Sequence, residues 1–328
     1  MSLQGQLKIA ARDDGDVDPS FRDDVLKGLS ECPKSIPARW FYDLRGSHLF
    51  EQITALPEYY PTRVEIALLK ANGADIGALT GPGRILVEFG SGSSLKTRHV
   101  LRDVAPSAYV PIDISGDFLR QSSDELAAQF PGLHIVPVEA DFMHPVALPD
   151  GFHDQRTLGF FPGSTIGNLT PPTAVDLLRS MRDTLGESAQ LLIGFDRVKD
   201  PAVLIAAYDD AEGVTAEFNL NLLHRINREL EADIPVDRFR HAARWNPEWN
   251  RIEMHLEALR DLCFEISGRR FSLRKGESIH TENSHKYTPQ QAQLLLHAGR
   301  WSPLQSWTDE QQAFLIILAE VTTYRSGP

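Results

Sequence analysis

Cysteine is nearly absent. The 328-residue chain holds two, Cys32 and Cys263, which excludes a disulfide framework or a zinc ribbon and suits a reducing compartment, where each reads as a thiol without a role. Long apolar runs are missing too. No stretch nears the roughly 18 consecutive apolar residues of a membrane span, and the first twenty residues lack the basic-then-apolar pattern of a secretory signal, so the cytoplasm is the expected location. No block is rich in lysine and arginine. With 33 Lys+Arg against 45 Asp+Glu the formal charge is −12, which repels nucleic acid and anionic membrane at long range, and neither is expected as a partner. Eleven histidines occur without H-E-x-x-H or comparable ligand spacing, so no metal is expected. Internal repeats and low-complexity stretches are also lacking.

What is present is an everyday globular composition: 42% hydrophobic, 9% aromatic and 24% charged residues. The chain exceeds the roughly 250–300 residues at which a single core stops growing, which predicts two lobes. From residue 84, short apolar runs alternate with helical periodicity. RILVEFG (84–90), AYVPIDI (108–114), LHIVPVEAD (133–141), TLGFFPGS (157–164) and AQLLIGFD (189–196) have strand length and turn residues at their ends. Between them SLKTRHVLRDV, DFLRQSSDELAAQF and AVDLLRSMRDTLG are helical, the last preceded by Pro171 and Pro172. The helical TPQQAQLLLHAG (288–299) and the runs SPLQSWT (302–308) and AFLIILAEV (313–321) complete the pattern at the end of the chain.

The prediction is an α/β fold with a Rossmann-like, mostly parallel sheet covered by helices on both faces, plus a smaller discontinuous α+β lobe. The sheet domain takes residues 61–196 and 287–328, the second lobe takes 20–60 and 197–286, and 1–19 is expected to be flexible. Within the insertion, AVLIAAYDDA and FNLNLLHRINREL read as helices, RIEMHLEALR and FSLRKGESIH as antiparallel strands.

The strongest local signal is LVEFGSGSSLKTR (86–98), a strand ending in Glu88, then a turn at Gly90 and Gly92 that opens a helix. Glycines there let backbone approach a ligand, and the helix start offers free N–H groups. Leu95 stands where the dinucleotide fingerprint needs its third glycine, which disfavours a pyrophosphate. The second strand ends in Asp113, placed to accept from two ribose hydroxyls, and the third in Glu139-Ala140-Asp141-Phe142, placed to meet an adenine amine and ring. Three acidic strand ends point to an adenosyl ligand without phosphates, such as S-adenosylmethionine (SAM). The competing reading is that Asp113 and Asp141 cap the helices that follow. Gly163, Ser164 and Asn168 follow the fourth strand, where an open parallel sheet binds its ligands; an Asx-turn is the alternative for Asn168.

The blocks FYDLRGSHLFEQITALPEYYPTR (41–63), LVEFGSGSSLKTR (86–98), FFPGSTIGN (160–168), AAYDDAEGVTAEFN (206–219), RIEM (251–254) and HTENSHKY (280–287) together resemble the histidine-specific N-methyltransferase family of ergothioneine biosynthesis. The resemblance spans about 20–325, and PEYYPTR and GSTIGN are its most specific parts. It implies a class I methyltransferase core, SAM as methyl donor, and the α-amino group of L-histidine as acceptor, methylated three times to trimethylhistidine (hercynine). On the cofactor side it implies Tyr42, Gly90, Lys96, Asp113 and Asp141. On the substrate side it implies Tyr59, Asn168 and Tyr208 around the α-carboxylate and amine, Glu282 and Ser284 around the imidazole, and Met254 lining the side-chain pocket. Tyr42 and Asn168 are its catalytic candidates, with a water or the Tyr42 hydroxyl as proton acceptor.

Those positions also make sense chemically. Two tyrosine hydroxyls and an amide can hold a carboxylate without a cationic side chain, which would repel the incoming sulfonium. A buried carboxylate at Glu282 reads an imidazole better than an apolar pocket would; the bland alternative is a surface glutamate paired with Lys286 or His285. Phe50 and Tyr59 are candidates for cation–π contact with a methylated ammonium, or plain core residues. A small amino acid is the expected partner and a monomer the expected state. The rivals are a nicotinamide oxidoreductase, disfavoured by Leu95, a cofactor-binding module without activity, and a methyltransferase of the same family acting on another amino acid such as tryptophan.

Overall fold

The computed structural model describes residues 18–92, 94–152 and 155–322. Of the N-terminal stretch expected to be flexible, 1–17 lie outside the described residues. Pro19 already belongs to a helix, which Asp18 caps by accepting from the Ser20 N–H.

The N-terminal part holds α1 (Pro19–Ser30), β1 (Lys34–Ser35), α2 (Leu44–Ala55) and α3 (Tyr60–Thr80). The alternating part follows: β2 (Ile85–Phe89), α4 (Thr97–Val104), β3 (Ala108–Asp113), α5 (Gly116–Gln129), β4 (His134–Ile135), β5 (Val138–Glu139), β6 (Thr157–Phe161), α6 (Pro171–Leu185) and β7 (Gln190–Asp196). The insertion contributes α7 (Pro201–Ala206), α8 (Val214–Glu229), β8 (Phe239–Asn246), β9 (Arg251–Ala258), β10 (Leu262–Ile266), β11 (Arg269–Leu273) and β12 (Ser278–His285). The chain closes with α9 (Pro289–Ala298), β13 (Trp301–Thr308) and β14 (Phe314–Val321).

One sheet runs β13-β14-β7-β6-β2-β3-β4, with β5 also on β3. Pairs from β7 through β4 are parallel, whereas β14 is antiparallel to β7 and to β13. This is the class I methyltransferase topology. Every residue of β2, β6 and β7 is buried, as a sheet covered on both faces requires. The chain moves from β2 to β3 on one side and to β6 on the other, so the strand order reverses at β2, and ligands bind at such a point outside the carboxyl ends.

A second sheet, β1-β12-β9-β8, joins the insertion to the N-terminal part through the parallel pairing of β1 with β12. Its apolar face shares one hydrophobic cluster with residues from both segments, including Phe21, Trp40, Phe41, Phe218, Leu222, Ile252 and Leu256. Burying such side chains is worth roughly 1.5–3 kcal/mol each, and both segments contribute to the one cluster. Arg225 of α8 stacks 4.6 Å over Phe21 and donates to the Trp40 carbonyl at 2.9 Å, tying the segments at their polar edge.

Four local expectations differ from what forms. The run 133–141 breaks into the two-residue strands β4 and β5 instead of one strand. The helix after β2 starts at Thr97, since the turn from Gly90 consumes the preceding residues. The run 202–211 stops being helical at Ala206, because Asp210 turns to cap α8, accepting from the Val214 and Thr215 N–H groups at 2.9 and 2.8 Å. FSLRKGESIH is cut by a turn at Gly276, with φ at +82°, into the end of β11 and the start of β12. Both cysteines are exposed. No helix among the described residues is long and apolar enough to cross a membrane.

Candidate active site

A cavity of about 720 Å³ opens at the carboxyl ends of the parallel strands and runs up to the second sheet. That is the size range of a cleft for a cofactor and a small substrate. Gly90, Lys96, Asp113, Asp141 and Tyr42 line it, as do Tyr59, Asn168, Tyr208, Met254, Glu282 and Ser284. The eleven residues that the family resemblance implies thus line one space, whereas Glu139 does not reach it.

At the sheet end, Gly90 has φ at +75° and Gly92 at +48°, a backbone region that side chains disfavour, and the turn they form presents Ser91, whose buried Oγ has no partner. Ser93 lies outside the described residues. Asp113 accepts from the Gly92 N–H at 3.1 Å and the Ser115 N–H at 3.0 Å, one on each oxygen. Ser115 is the N-cap position of α5 and its side chain makes no cap hydrogen bond; Asp113, two residues earlier, braces that helix start and also lines the cavity. Burial raises its carboxyl, countered by those N–H groups. An unpartnered hydroxyl, open glycine backbone and an oriented carboxylate fit a nucleoside without phosphates, as SAM is.

Three acidic positions behave less simply. Glu88 accepts from Thr97 and Tyr109 and so pins α4 to the sheet; burial pushes it up to about 8 despite those donors. Glu139 pairs with Arg120 at the surface. Asp141 accepts from the Met143 N–H and forms an ion pair with Arg39 at 2.9 Å, so it bridges the cofactor sheet to the N-terminal segment. Lys96 pairs at 2.7 Å with the buried Glu65, which also accepts from the Gly163 N–H at 2.9 Å.

The other end of the cavity is aromatic. Tyr42 meets Phe50 and Phe218 edge-on with centroids 5.8 Å apart, Phe50 meets Tyr59 at 6.2 Å, and Tyr59 meets Tyr208 at 6.1 Å. Burial holds the phenols of Tyr42, Tyr59 and Tyr208 well above their usual range, so they remain O–H groups at neutral pH.

Glu282 owes its direction to an irregularity in β12. The β12–β9 register shifts between His280 and Glu282: His280 opposes His255 before it, and Glu282 opposes Met254 after it. Strict alternation would send 280, 282 and 284 to one face. The extra residue instead puts Glu282 opposite Met254 and Ser284 opposite Ile252, the inward positions of β9. Glu282 is buried, receives the Asn168 amide at 3.3 Å, and is pushed up to about 7 by burial, partly offset by Lys286. The surface-glutamate alternative fails on burial, and so does its pairing with Lys286, because Lys286 pairs with Asp196 at 2.7 Å.

Asn168 reaches Glu282 because the turn Thr165–Asn168 docks on β12 at Gly167. A Cβ there would lie 2.7 Å from the His285 carbonyl oxygen. His285 Nδ1–H donates to the Gly167 carbonyl at 2.8 Å across the same contact. This tie to Glu282 sets aside the Asx-turn reading.

One expectation is corrected outright. The polar group at Tyr208 does include a cation: Lys286, fully buried, donates to Tyr208 at 3.0 Å and to Ser284 at 2.8 Å. Lysine in a sequence reads as a solvated residue, so the motif HTENSHKY gave no hint of it. Asp196 was missed too, although the carboxyl end of the fifth strand was a place to look. Glu253, His255 and His280 cluster on the second sheet, His280 at the cavity wall, and there Arg251 already neutralises Glu253 at 2.6 Å.

Comparison with known proteins follows the same lines. The family model described as histidine-specific, SAM-dependent methyltransferase matches residues 21–321. The chain is 42% identical over 307 residues to a histidine N-alpha-methyltransferase of Mycolicibacterium smegmatis, covering 92% of this chain and 94% of that one. It is 28% identical over 298 residues to ergothioneine biosynthesis protein 1 of Neurospora crassa, covering 88% of this chain and 33% of the fungal one. A 4-dimethylallyltryptophan N-methyltransferase of Claviceps fusiformis is 25% identical, with 90% of each chain covered.

Proposed function

Because the chain belongs to the family of histidine-specific, SAM-dependent methyltransferases, we propose that it methylates the α-amino group of L-histidine, three times over, to give hercynine for ergothioneine biosynthesis. The observation that carries this reading is Glu282: a buried carboxyl, aimed by a strand irregularity into the cavity that also holds the glycine turn and Asp113. Its value of about 7 lies close to that of an imidazole, so the two can share a proton in either direction.

In this reading residues 61–196 and 287–328 form the cofactor domain, and 20–60 with 197–286 the substrate domain. SAM, when bound, supplies a methyl group on a positively charged sulfur. Gly90 and Asp113 hold its nucleoside, with Lys96 and Asp141 at the same end, and Tyr42 faces it from the aromatic end, within electrostatic reach of both Asp113 and Glu282. Tyr59, Tyr208 and Asn168 orient the amino acid's carboxylate and amine, Glu282 and Ser284 read the ring, and Met254 supplies the apolar floor.

The attacking nitrogen needs a lone pair, so the amine must lose its proton. Tyr42 keeps its own proton at neutral pH, so it orients the amine and a water carries the proton away. Catalysis then comes from holding nitrogen and methyl carbon in line, about 3–3.5 Å apart. The aromatic wall of Tyr42, Phe50, Tyr59 and Phe218 stabilises the ammonium that grows with each transfer. A monomer in a reducing cytoplasm, where the two exposed thiols stay reduced, completes this reading.

The test is incubation of the protein with SAM and all twenty amino acids, read by mass. A gain of three methyl groups on histidine alone is expected. Methylation of tryptophan or another amino acid in place of histidine would overturn the acceptor.

A further inference from the structure

Behind the hydroxyls at the amino-acid end lies a charge that solvent does not reach. The Lys286 side chain has no exposed surface, and its Nζ is 2.7 Å from Asp196 Oδ2, 2.8 Å from Ser284 Oγ and 3.0 Å from Tyr208 Oη. An ammonium has three N–H donors and accepts nothing, so all three are spent. Asp196 ends a strand of the cofactor sheet and also accepts from Lys199, from the Tyr60 O–H at 2.8 Å and from the Arg197 N–H at 2.9 Å. Although burial alone would raise the Asp196 carboxyl, the two lysines outweigh it and keep the group ionised. Burial pushes the second lysine, Lys199, down to about 8, and Asp309 and Glu282 lie within electrostatic reach of the two lysines, but the ammonium that touches the cavity hydroxyls is that of Lys286.

The same count constrains the hydroxyls. Tyr208 Oη and Ser284 Oγ both accept from Lys286, so each must pass its own proton onward. They lie 2.6 Å apart, and one proton closes that bond. The other can serve Tyr59, whose side chain also hydrogen-bonds to Tyr208, or a ligand in the cavity that all three line. A desolvated group of hydroxyls polarised by a buried ammonium fits a ligand group that accepts hydrogen bonds and carries a negative charge, which is a carboxylate.

We propose that Lys286, fixed by Asp196, is a positioning residue for the substrate's carboxylate, acting through the hydroxyl of Tyr208, which Ser284 holds from the side of the ring. This rests on the amino-acid reading given above. Setting the cation one hydroxyl back has a physical reason. Direct contact would place a positive charge next to the reacting amine and the sulfonium it meets, and Coulomb repulsion falls with distance. The intervening O–H group, polarised by the ammonium, still binds an anion strongly.

The test compares L-histidine with L-histidinamide, which lacks the negative charge, by calorimetry on the full chain with S-adenosylhomocysteine bound. The double variant Asp196→Asn/Lys286→Met removes the buried ion pair as a unit and leaves Lys199, whose side chain is 15% exposed, to solvent. It is expected to bind histidine roughly ten- to hundredfold more weakly than the native protein. Histidinamide and S-adenosylhomocysteine should bind both alike, and Lys286→Arg should restore part of the histidine affinity. Lys286→Gln, which keeps a donor but no charge, carries the same expectation if the double variant does not fold. Equal losses for histidine and histidinamide, or unchanged histidine affinity, would overturn the proposal while leaving the substrate reading intact. Failure of the native protein to bind histidine would overturn both.

Discussion

A single carboxyl shows how much one residue's surroundings decide. Glu282 ordinarily titrates near 4.5 and is pushed up to about 7 in the fold. Between those values the folded chain binds more protons than the unfolded one, so stability falls as pH rises through this window. Glu282→Gln removes that cost. The variant without ligand is expected to be more stable than the native protein at pH 8, on the order of 2–3 kcal/mol, and equal to it below about pH 4.5. Urea unfolding at both pH values measures this; a destabilised variant at pH 8 would contradict the burial argument. At this scale the sequence was most legible where chemistry is carried by a motif. Asp113, Asn168 and Glu282 stood out, whereas Lys286 did not, because burial inverts the meaning of a lysine and burial here comes from packing between distant segments.

Elements aim these residues, and two irregular ones matter most. The shifted register in β12 turns Glu282 inward, and the turn Thr165–Asn168 presses Gly167 against β12. Gly167→Ala puts a methyl group 2.7 Å from the His285 carbonyl, so the turn must back away and Asn168 with it. The expected result is a raised histidine KM with an unchanged Kd for S-adenosylhomocysteine, checked by steady-state kinetics and calorimetry. A raised cofactor Kd with normal histidine KM would mean the turn serves the cofactor end instead. β2, β6 and β7 were legible as short apolar runs bounded by turn residues, and α6 from its helical periodicity. The irregular ones were not: His280 to Ser284 are five polar residues with no sign of a register shift, and the broken run 133–141 reads as a strand. In both, contacts made by neighbours override the local pattern.

The molecule as a whole is a parallel sheet whose substrate end is closed by two segments far apart in sequence. That the two segments pack together was foreseeable because both stand outside the sheet's alternating pattern, and one shared apolar cluster joins them. Arg39 joins them to the sheet, pairing with Asp141 at 2.9 Å and with Asp24 at 2.7 Å. Both ion pairs are partly solvated, so Arg39→Ala is expected to cost at most about 1 kcal/mol of stability. It should weaken S-adenosylhomocysteine binding modestly and speed amide exchange over residues 38–60; unchanged exchange there would mean the bridge plays no part in closure. The measurement that bears most directly on the account is the kcat/KM of Glu282→Ala for histidine, taken with its Kd for S-adenosylhomocysteine. A loss of roughly a hundredfold or more in kcat/KM, with cofactor binding near native, is the predicted result. Native kcat/KM in that variant would contradict it.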